Sequence, residues 1–365
     1  MHELVALDLP GGASFVAALR RVWDRGDAVF PLDRRLPPPA RSRALAAMAP
    51  ARVVDASGER RLEGGRPVEP GDALVMATSG TSGDPKGVVL THAALASSAE
   101  ATSRRLGVDP AHDRWLGCLP LAHIGGLAVV VRALLTGTPL TVLPAFHADE
   151  VQAAGATLVS LVPTALARID ARSFRAIVLG GSRPPIELPP NVVATYGMTE
   201  TGSGCVYDGR PLDGVEVDIT AGGEIRLRAP LLLRAYRDGR DPRDADGWFA
   251  TGDLGAWQGG RLVVHGRRTE LIITGGENVW PEPIEAALAT HPAVADVAVG
   301  PRPDPEWGER VVAYVVPRAA AEPPSLASLR DHVKETLPPW CAPREVVYVT
   351  SIPRSPLGKV RRSLL

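Results

Sequence analysis

Cysteine is scarce in this chain: Cys118, Cys205 and Cys341 are the only three in 365 residues. An odd, scattered set without a C-x-x-C pair argues against a disulfide framework or a zinc site, and for a reducing cytoplasm. A surplus of one charge is also missing. Lys plus Arg total 40 and Asp plus Glu 41, a formal charge of −1, so no global basic surplus argues for nucleic acid. There is no long block of like charge and no internal repeat. No apolar run nears the roughly 18–20 residues of a transmembrane helix. Glu3 and Asp8 stand where a signal peptide would have a basic start and then an apolar run. The expectation is a soluble, cytoplasmic protein without a transmembrane segment.

What is present suits a sizeable core. The chain exceeds one average domain and is 45% hydrophobic, which implies two domains or one large domain with an appendage, and a full hydrophobic core. Its 35 prolines and 37 glycines are spread as turn punctuation.

One stretch stands out. Ala73–Ala77 reads as a buried strand and runs into Thr78-Ser79-Gly80-Thr81-Ser82-Gly83-Asp84-Pro85-Lys86-Gly87. Glycines let backbone N–H groups approach an anion, while hydroxyls and a lysine add donors and charge. This is the chemistry of a polyphosphate loop. It is not a Walker A loop, because Lys86 is preceded by proline and followed by glycine.

Around it, strands and helices alternate. A helix is expected over Ser14–Trp23 with Ser14 as its cap, a strand over Asp27–Leu32, and a helix over Ala40–Met48. After the loop come a helix from Thr91, a strand from Trp115, an apolar helix over Ile124–Leu135, and further strands ending at Val162, Leu179 and Tyr196. This βα spacing implies a largely parallel sheet covered on both faces. Ligands of such sheets bind at the carboxyl ends of strands, where Thr78–Gly87, His123, Gly180–Ser182 and Gly197–Thr201 all fall. From Val215 short strands take over, beginning with a hairpin through Ala221-Gly222-Gly223, and after Gly266-Arg267-Arg268 a compact α+β pattern follows. The expected fold is α/β: a large N-terminal domain (1–266, β-rich over about 205–266) and a small mobile α+β C-terminal domain (267–365).

The loop resembles the phosphate loop of adenylate-forming enzymes, the acyl-CoA synthetase and ligase superfamily. The resemblance extends to Tyr196-Gly197-Met198-Thr199-Glu200-Thr201, to Gly247-Trp248-Phe249-Ala250-Thr251-Gly252-Asp253, to Gly266-Arg267 with Gly275–Val279, and to Pro353–Lys359. It implies two half-reactions. A carboxylate attacks the α-phosphate of ATP and expels pyrophosphate; a thiol, usually that of CoA, then attacks the acyl-adenylate and expels AMP.

Roles follow from the same resemblance. Thr78, Ser79, Gly80, Thr81, Ser82, Gly83 and Lys86 should hold the β- and γ-phosphates. Gly180, Gly181, Ser182, Tyr196 and Gly197 should form the adenine slot, and Asp253 and Arg267 should meet the ribose and phosphate. Glu200, with Thr81, should bind Mg²⁺; Thr199 should donate to the α-phosphate or acyl carboxyl. Lys359, six residues from the C-terminus, should swing in with the small domain and bridge the reacting oxygens. One departure is Thr269, followed by Glu270, where the family has an acidic or lysine hinge residue.

Two further features narrow the acid. The chain is compact for the superfamily, and Gly204–Val215 follows the Tyr196 motif closely. Both resemble the o-succinylbenzoate–CoA ligases of menaquinone biosynthesis in actinobacteria. Such a substrate carries a second carboxylate. Arg132, a charge inside the apolar run Leu127–Leu134, is a candidate partner, with His123 and Thr164 lining the acyl pocket. His123 and Arg132 reach one pocket only if the helix starts after His123. The expected partners are therefore the acid, ATP and CoA, with a homodimer left open. Another aryl- or acyl-CoA ligase, an enzyme loading a carrier protein, and a silent nucleotide-binding module remain alternatives.

Overall fold

The computed structural model describes residues 2–79, 85–182, 184–185, 187–318, 322–354, 358 and 360–365. They group into two compact units. The first comprises Met1–Asp218, Arg226–Ala250 and Gly259–Leu262; the second comprises Ile219–Ile225, Thr251–Gln258 and Val263–Leu365.

The first unit holds two seven-stranded sheets. One runs in the order Ala235–Tyr236, Pro85–Thr91, Asp72–Ser79, Ala28–Pro31, Leu4–Leu7, Arg52–Asp55, Gly58–Arg61. At its centre Leu4–Leu7 pairs parallel to Ala28–Pro31 and to Arg52–Asp55. All four residues of Leu4–Leu7 are fully buried. That strand was not expected, because a four-residue apolar run is too short for periodicity to register. The sheet is mixed rather than largely parallel: Asp72–Ser79 pairs antiparallel with Pro85–Thr91, which in turn pairs antiparallel with Ala235–Tyr236. The second sheet meets the expectation better. Its strands Leu140–Val142, Trp115–Gly117, Leu158–Leu161, Ala176–Leu179 and Val192–Met198 are parallel neighbours, and antiparallel pairing begins only at Ser203–Tyr207.

Helix starts follow local chemistry. Thr91 caps His92–Leu106 by accepting the Ala94 N–H at 3.1 Å. The helix Pro38–Met48 opens on proline, whose missing N–H costs nothing there. Ser14 is not a cap: the helix Ala13–Asp24 begins before it, on Gly12. The apolar helix runs Ile124–Thr136 and starts after His123, and it packs against His92–Leu106. Buried side chains of this kind contribute roughly 1.5–3 kcal/mol each.

Strands Glu216–Ile219, Glu224–Arg228, Phe249–Gln258 and Arg261–Arg267 form a four-stranded sheet in that order. The expected hairpin turn is there, with Gly223 at φ 80° and Thr220 Oγ1 accepting the Glu224 N–H. In the second unit a five-stranded sheet is built on the long hairpin Val294–Asp304 and Gly308–Pro317. Helices Pro281–Ala289 and Leu326–Lys334 cover it, with Ile284, Leu288, Leu329 and Val333 buried in its core. The fold is thus mixed α/β with a small C-terminal α+β part. Among the described residues no helix is long and apolar enough to cross a membrane.

Candidate active site

The strands Asp72–Ser79 and Pro85–Thr91, which flank the expected phosphate loop, pair antiparallel. Thr78 pairs with Lys86 and Ser79 with Pro85 across it, and Thr78 Oγ1 donates to the Lys86 carbonyl at 3.4 Å. Gly80, Thr81, Ser82 and Gly83 lie outside the described residues. On the second of these strands, Gly87 has a packing reason. A Cβ there would come within 2.6 Å of the Arg237 Cβ and 2.7 Å of the Met48 Sδ. Arg237 uses that space: its N–H donates to the Gly87 carbonyl, and its guanidinium donates to the carbonyls of Met48, Pro67 and Arg66. Burial, with Arg66 close by, pulls the Arg237 pKa down to about 10.

That anchoring places Tyr236. Its hydroxyl donates to Glu200 Oε1 at 3.1 Å, and the Lys86 ammonium stands 6.0 Å from its ring centroid. Lys86 and Glu200, 114 residues apart in sequence, are therefore gathered around one phenol. Glu200 sits in the short turn Thr199–Thr201. Thr201, fully buried, accepts the Met198 N–H at 2.9 Å, and Gly202 closes the turn at φ 64°.

Next to this turn, the strand ends Leu179 and Ala194 are in parallel register, which sets Gly180–Ser182 beside Thr195–Tyr196. A Cβ on Gly180 would lie 2.9 Å from Thr195 Oγ1. Gly197 sits at a register shift between Val192–Met198 and Ser203–Tyr207, where a Cβ would meet the Ser203 carbonyl at 2.2 Å.

In the second unit, Arg267 Nε pairs with Asp253 Oδ1 at 2.8 Å, and Arg267 Nη1 donates to the Thr251 carbonyl. Asp253 is buried and Arg267 exposed. Lys359 lies outside the described residues.

His123, at the mouth of the helix Ile124–Thr136, has two partners that sequence patterns did not suggest. Arg35 Nη2 is 2.7 Å from His123 Nε2, and Asp33 Oδ2 is 3.4 Å from the same nitrogen. A guanidinium only donates, so the shorter contact makes Nε2 an acceptor and the imidazole neutral; the Asp33 contact needs that nitrogen protonated. Geometry favours Arg35. Burial raises the Asp33 pKa, but the side-chain and backbone hydrogen bonds from Arg35 and its charge outweigh it and hold the carboxyl well below its ordinary value. Both residues follow the strand Ala28–Pro31, so its carboxyl end was the available clue. Thr164 is exposed on the short helix Pro163–Leu166, two residues past Val162, whose Cγ1 a Cβ on Gly181 would approach to 3.1 Å.

Arg132 lies on the helix Ile124–Thr136, beside Gly202 and Ser203, which follow the Thr199–Thr201 turn. Its side chain is 2% exposed and its guanidinium carbon lies 4.8 Å from the Trp115 ring centroid. Nη2 donates to Ser203 Oγ at 3.4 Å, and Nε and Nη1 have no hydrogen-bond partner among the described residues. Burial pulls its pKa down. A cavity of about 10 Å³ adjoins it, lined also by Ser98, Ala99, Ala128 and Gly202.

The residues present fit a magnesium ion held mainly by phosphate. Glu200 offers one half-buried carboxylate with Oε1 engaged by Tyr236. Among the described residues no three His, Cys, Asp or Glu side chains converge as a cage. Mg²⁺ is usually held by one or two carboxylates together with waters and substrate phosphates. Burial pushes the thiols of Cys118 and Cys205 up to about 12, so neither is a thiolate near neutral pH.

Comparison with known proteins agrees with this geometry. The model of the AMP-binding enzyme family matches residues 55–227, and that of the AMP-binding enzyme C-terminal domain matches 283–359. A protein of Mycobacterium tuberculosis named probable 2-succinylbenzoate–CoA ligase is 41% identical over 90% of this chain and 93% of its own length. The 2-succinylbenzoate–CoA ligase of Bacillus licheniformis is 35% identical over 80% of this chain and 69% of its own. Among solved structures, the o-succinylbenzoate CoA synthetase of Bacillus subtilis with the acyl-adenylate intermediate OSB-AMP superposes with a TM-score of 0.87 at 29% identity, covering 99% of this chain and 87% of that one. The same enzyme with ATP and a magnesium ion gives 0.86 at 28% identity, covering 100% and 89%.

Proposed function

The chain belongs to the AMP-binding enzyme family, and from that premise we propose that it is an o-succinylbenzoate–CoA ligase. It activates o-succinylbenzoate with ATP as an acyl-adenylate and transfers the acyl group to CoA, releasing pyrophosphate and then AMP. In the first step a carboxylate oxygen bonds to the α-phosphorus and the bond to pyrophosphate breaks. In the second the CoA sulfur bonds to the acyl carbon and AMP leaves. The thiol is that of CoA. Its place is the cytoplasm, where ATP and CoA are supplied.

Chemistry of this type needs positioning and charge neutralisation. Thr78–Gly83 and Lys86 hold the β- and γ-phosphates, and Thr199 and Lys359 serve the reacting oxygens. Asp253 takes the ribose hydroxyls, with Arg267 at its side. Gly180–Ser182, Tyr196 and Gly197 form the adenine slot, while His123 and Thr164 border the acyl group. Glu200 and Thr81 hold Mg²⁺, which when bound neutralises phosphate charge.

Arg132 carries the choice of acid. An unpaired buried charge costs several kcal/mol, and no carboxylate among the described residues pairs with this guanidinium. A dianionic acid brings the missing partner: one carboxylate reacts, and the other pairs with Arg132 beside Ser98, Ala99, Ala128 and Gly202. The test is acid-dependent ATP–pyrophosphate exchange by Arg132→Met and Arg132→Lys. KM for o-succinylbenzoate should rise roughly 100-fold in the Met variant, the scale of a lost buried charge pair, with benzoate unaffected and the melting temperature unchanged or higher. Equal loss with every acid, or a large fall in melting temperature, would make Arg132 a structural residue and remove the ground for this substrate.

A further inference from the structure

Residues 234–243 carry four arginines, and the protein itself engages three of them. Arg234 donates to Asp72 Oδ1 at 2.8 Å and pairs with Glu69 at 2.7 Å. Arg237 donates to the carbonyls of Met48, Pro67 and Arg66. Arg243 pairs with Asp241 at 2.7 Å. Arg240 is different. Its side chain is exposed, and its guanidinium has no carboxylate partner among the described residues.

Arg240 is nevertheless held in place. The chain turns back on itself here: the Gly239 N–H donates to the Tyr236 carbonyl and the Tyr236 N–H to the Arg240 carbonyl, both at 2.9 Å, with Gly239 at φ 93°. Asp238 Oδ1 accepts the Arg240 N–H at 3.0 Å. The turn lays the guanidinium carbon 4.7 Å from the centroid of the Tyr236 ring, within reach of a cation–π contact. Lys86 Nζ stands 6.0 Å from the same centroid, and the Tyr236 hydroxyl donates to Glu200. A guanidinium, an ammonium and a carboxylate thus surround one phenol. The two cations repel each other, and the single carboxylate does not balance them. An anion with several oxygens completes the set.

We infer that Arg240 is a further phosphate-binding residue: its guanidinium contacts the β- and γ-phosphates of ATP beside Lys86. This deepens the reading of Lys86 and Glu200 given above and rests on it. When the acid's oxygen bonds to the α-phosphorus, the bond to pyrophosphate breaks and its electron pair stays with the leaving group. Arg240 meets that added charge. Its planar fork addresses two phosphate oxygens at once, whereas the Lys86 ammonium acts as a point charge.

The test titrates the full chain with ATP and with AMP, each with Mg²⁺ and without acid, and times thioester formation from supplied acyl-adenylate. AMP lacks the two phosphates at issue. Arg240→Met should weaken ATP binding about 10-fold, the scale of one hydrogen bond to a charged group, and leave AMP within about 2-fold. Arg240→Lys should fall between the Met variant and the parent, because the charge stays and the fork goes. Thioester formation should not respond. The loss for ATP should shrink as salt is raised, because the contact is exposed. Unchanged ATP affinity in Arg240→Met would overturn the inference. Equal weakening of ATP and AMP, with a lowered melting temperature, would show that Arg240 only braces the Tyr236 turn. Lys86→Met separates the Arg240 contact from the phosphate site beneath it. If Lys86→Met also leaves ATP affinity intact, the polyphosphate does not lie at Tyr236 and the reading of Lys86 fails. If Lys86→Met weakens ATP while Arg240→Met does not, only the Arg240 role fails. No acid enters the titration, so the identity of the acid does not bear on the result.

Discussion

The hydroxyl of Tyr236 donates to Glu200 Oε1 at 3.1 Å, reaching from a two-residue strand to the turn that carries the carboxylate. Tyr236 therefore fixes the rotamer of the group assigned to Mg²⁺, and the same ring lies beside the Lys86 ammonium. Tyr236→Phe should cut adenylation about 10-fold, the worth of one hydrogen bond to a charged group, and raise the Mg²⁺ concentration needed for half-maximal rate. Thioester formation from supplied acyl-adenylate should not respond. Unchanged Mg²⁺ dependence in steady-state assays would remove Tyr236 from the site.

Asp33 carries a pH signature. Its folded pKa lies well below the ordinary 3.8, so its contribution to stability is present above that value and is lost as pH falls through the lower folded one. Asp33→Asn should lower the melting temperature at pH 7, and the gap to the parent protein should close below about pH 4. The variant should also raise KM for the acid, because Arg35 loses the partner that aims it at His123.

Glu282 should behave in the opposite sense. Burial pushes its pKa from 4.5 to about 7, with Arg362 opposing and Glu270 and Glu285 adding to the rise. A raised carboxyl pKa destabilises the folded state progressively as pH climbs from the unfolded value through the folded one. Glu282→Gln should therefore be close to neutral at pH 4.5 and raise the melting temperature by about 2–4 °C or more at pH 8. A gain independent of pH in thermal melts would refute this.

Gly197→Ala tests the close strand approach under the proposed adenine slot. The new methyl would sit 2.2 Å from the Ser203 carbonyl and 2.6 Å from the Gly204 Cα, both backbone atoms that cannot rotate away. The expected cost is about 2–3 kcal/mol of stability together with weaker ATP binding. Wild-type urea denaturation and nucleotide titration would contradict it.

Much of the proposed site rests on contiguous sequence motifs with strong local constraints. Thr78–Gly87, Tyr196–Thr201 and Thr251–Asp253 each mix glycine with polar groups in a short run, and sheet edges explain why such runs bind ligands. The register Thr78↔Lys86 was not legible. Pro85–Thr91 reads as the tail of a glycine-rich loop, and only its neighbours Asp72–Ser79 and Ala235–Tyr236 make it a strand. Tyr236, Asp33 and Arg35 belong to no motif. Each acts through a contact more than thirty residues distant in sequence.

Arg132 and Arg362 mark where sequence stops and tertiary structure decides. Sequence alone determined the family, the two half-reactions and the chemical types at each position, because those depend on residue identity and short spacing. It also flagged Arg132 as a charge in an apolar run. Only the fold decided that Arg132 ends fully buried against Trp115 with two nitrogens lacking a hydrogen-bond partner among the described residues, while Arg362 ends among three glutamates. Charge pairing acts through space at a few ångströms, and packing of distant segments sets which charges meet there.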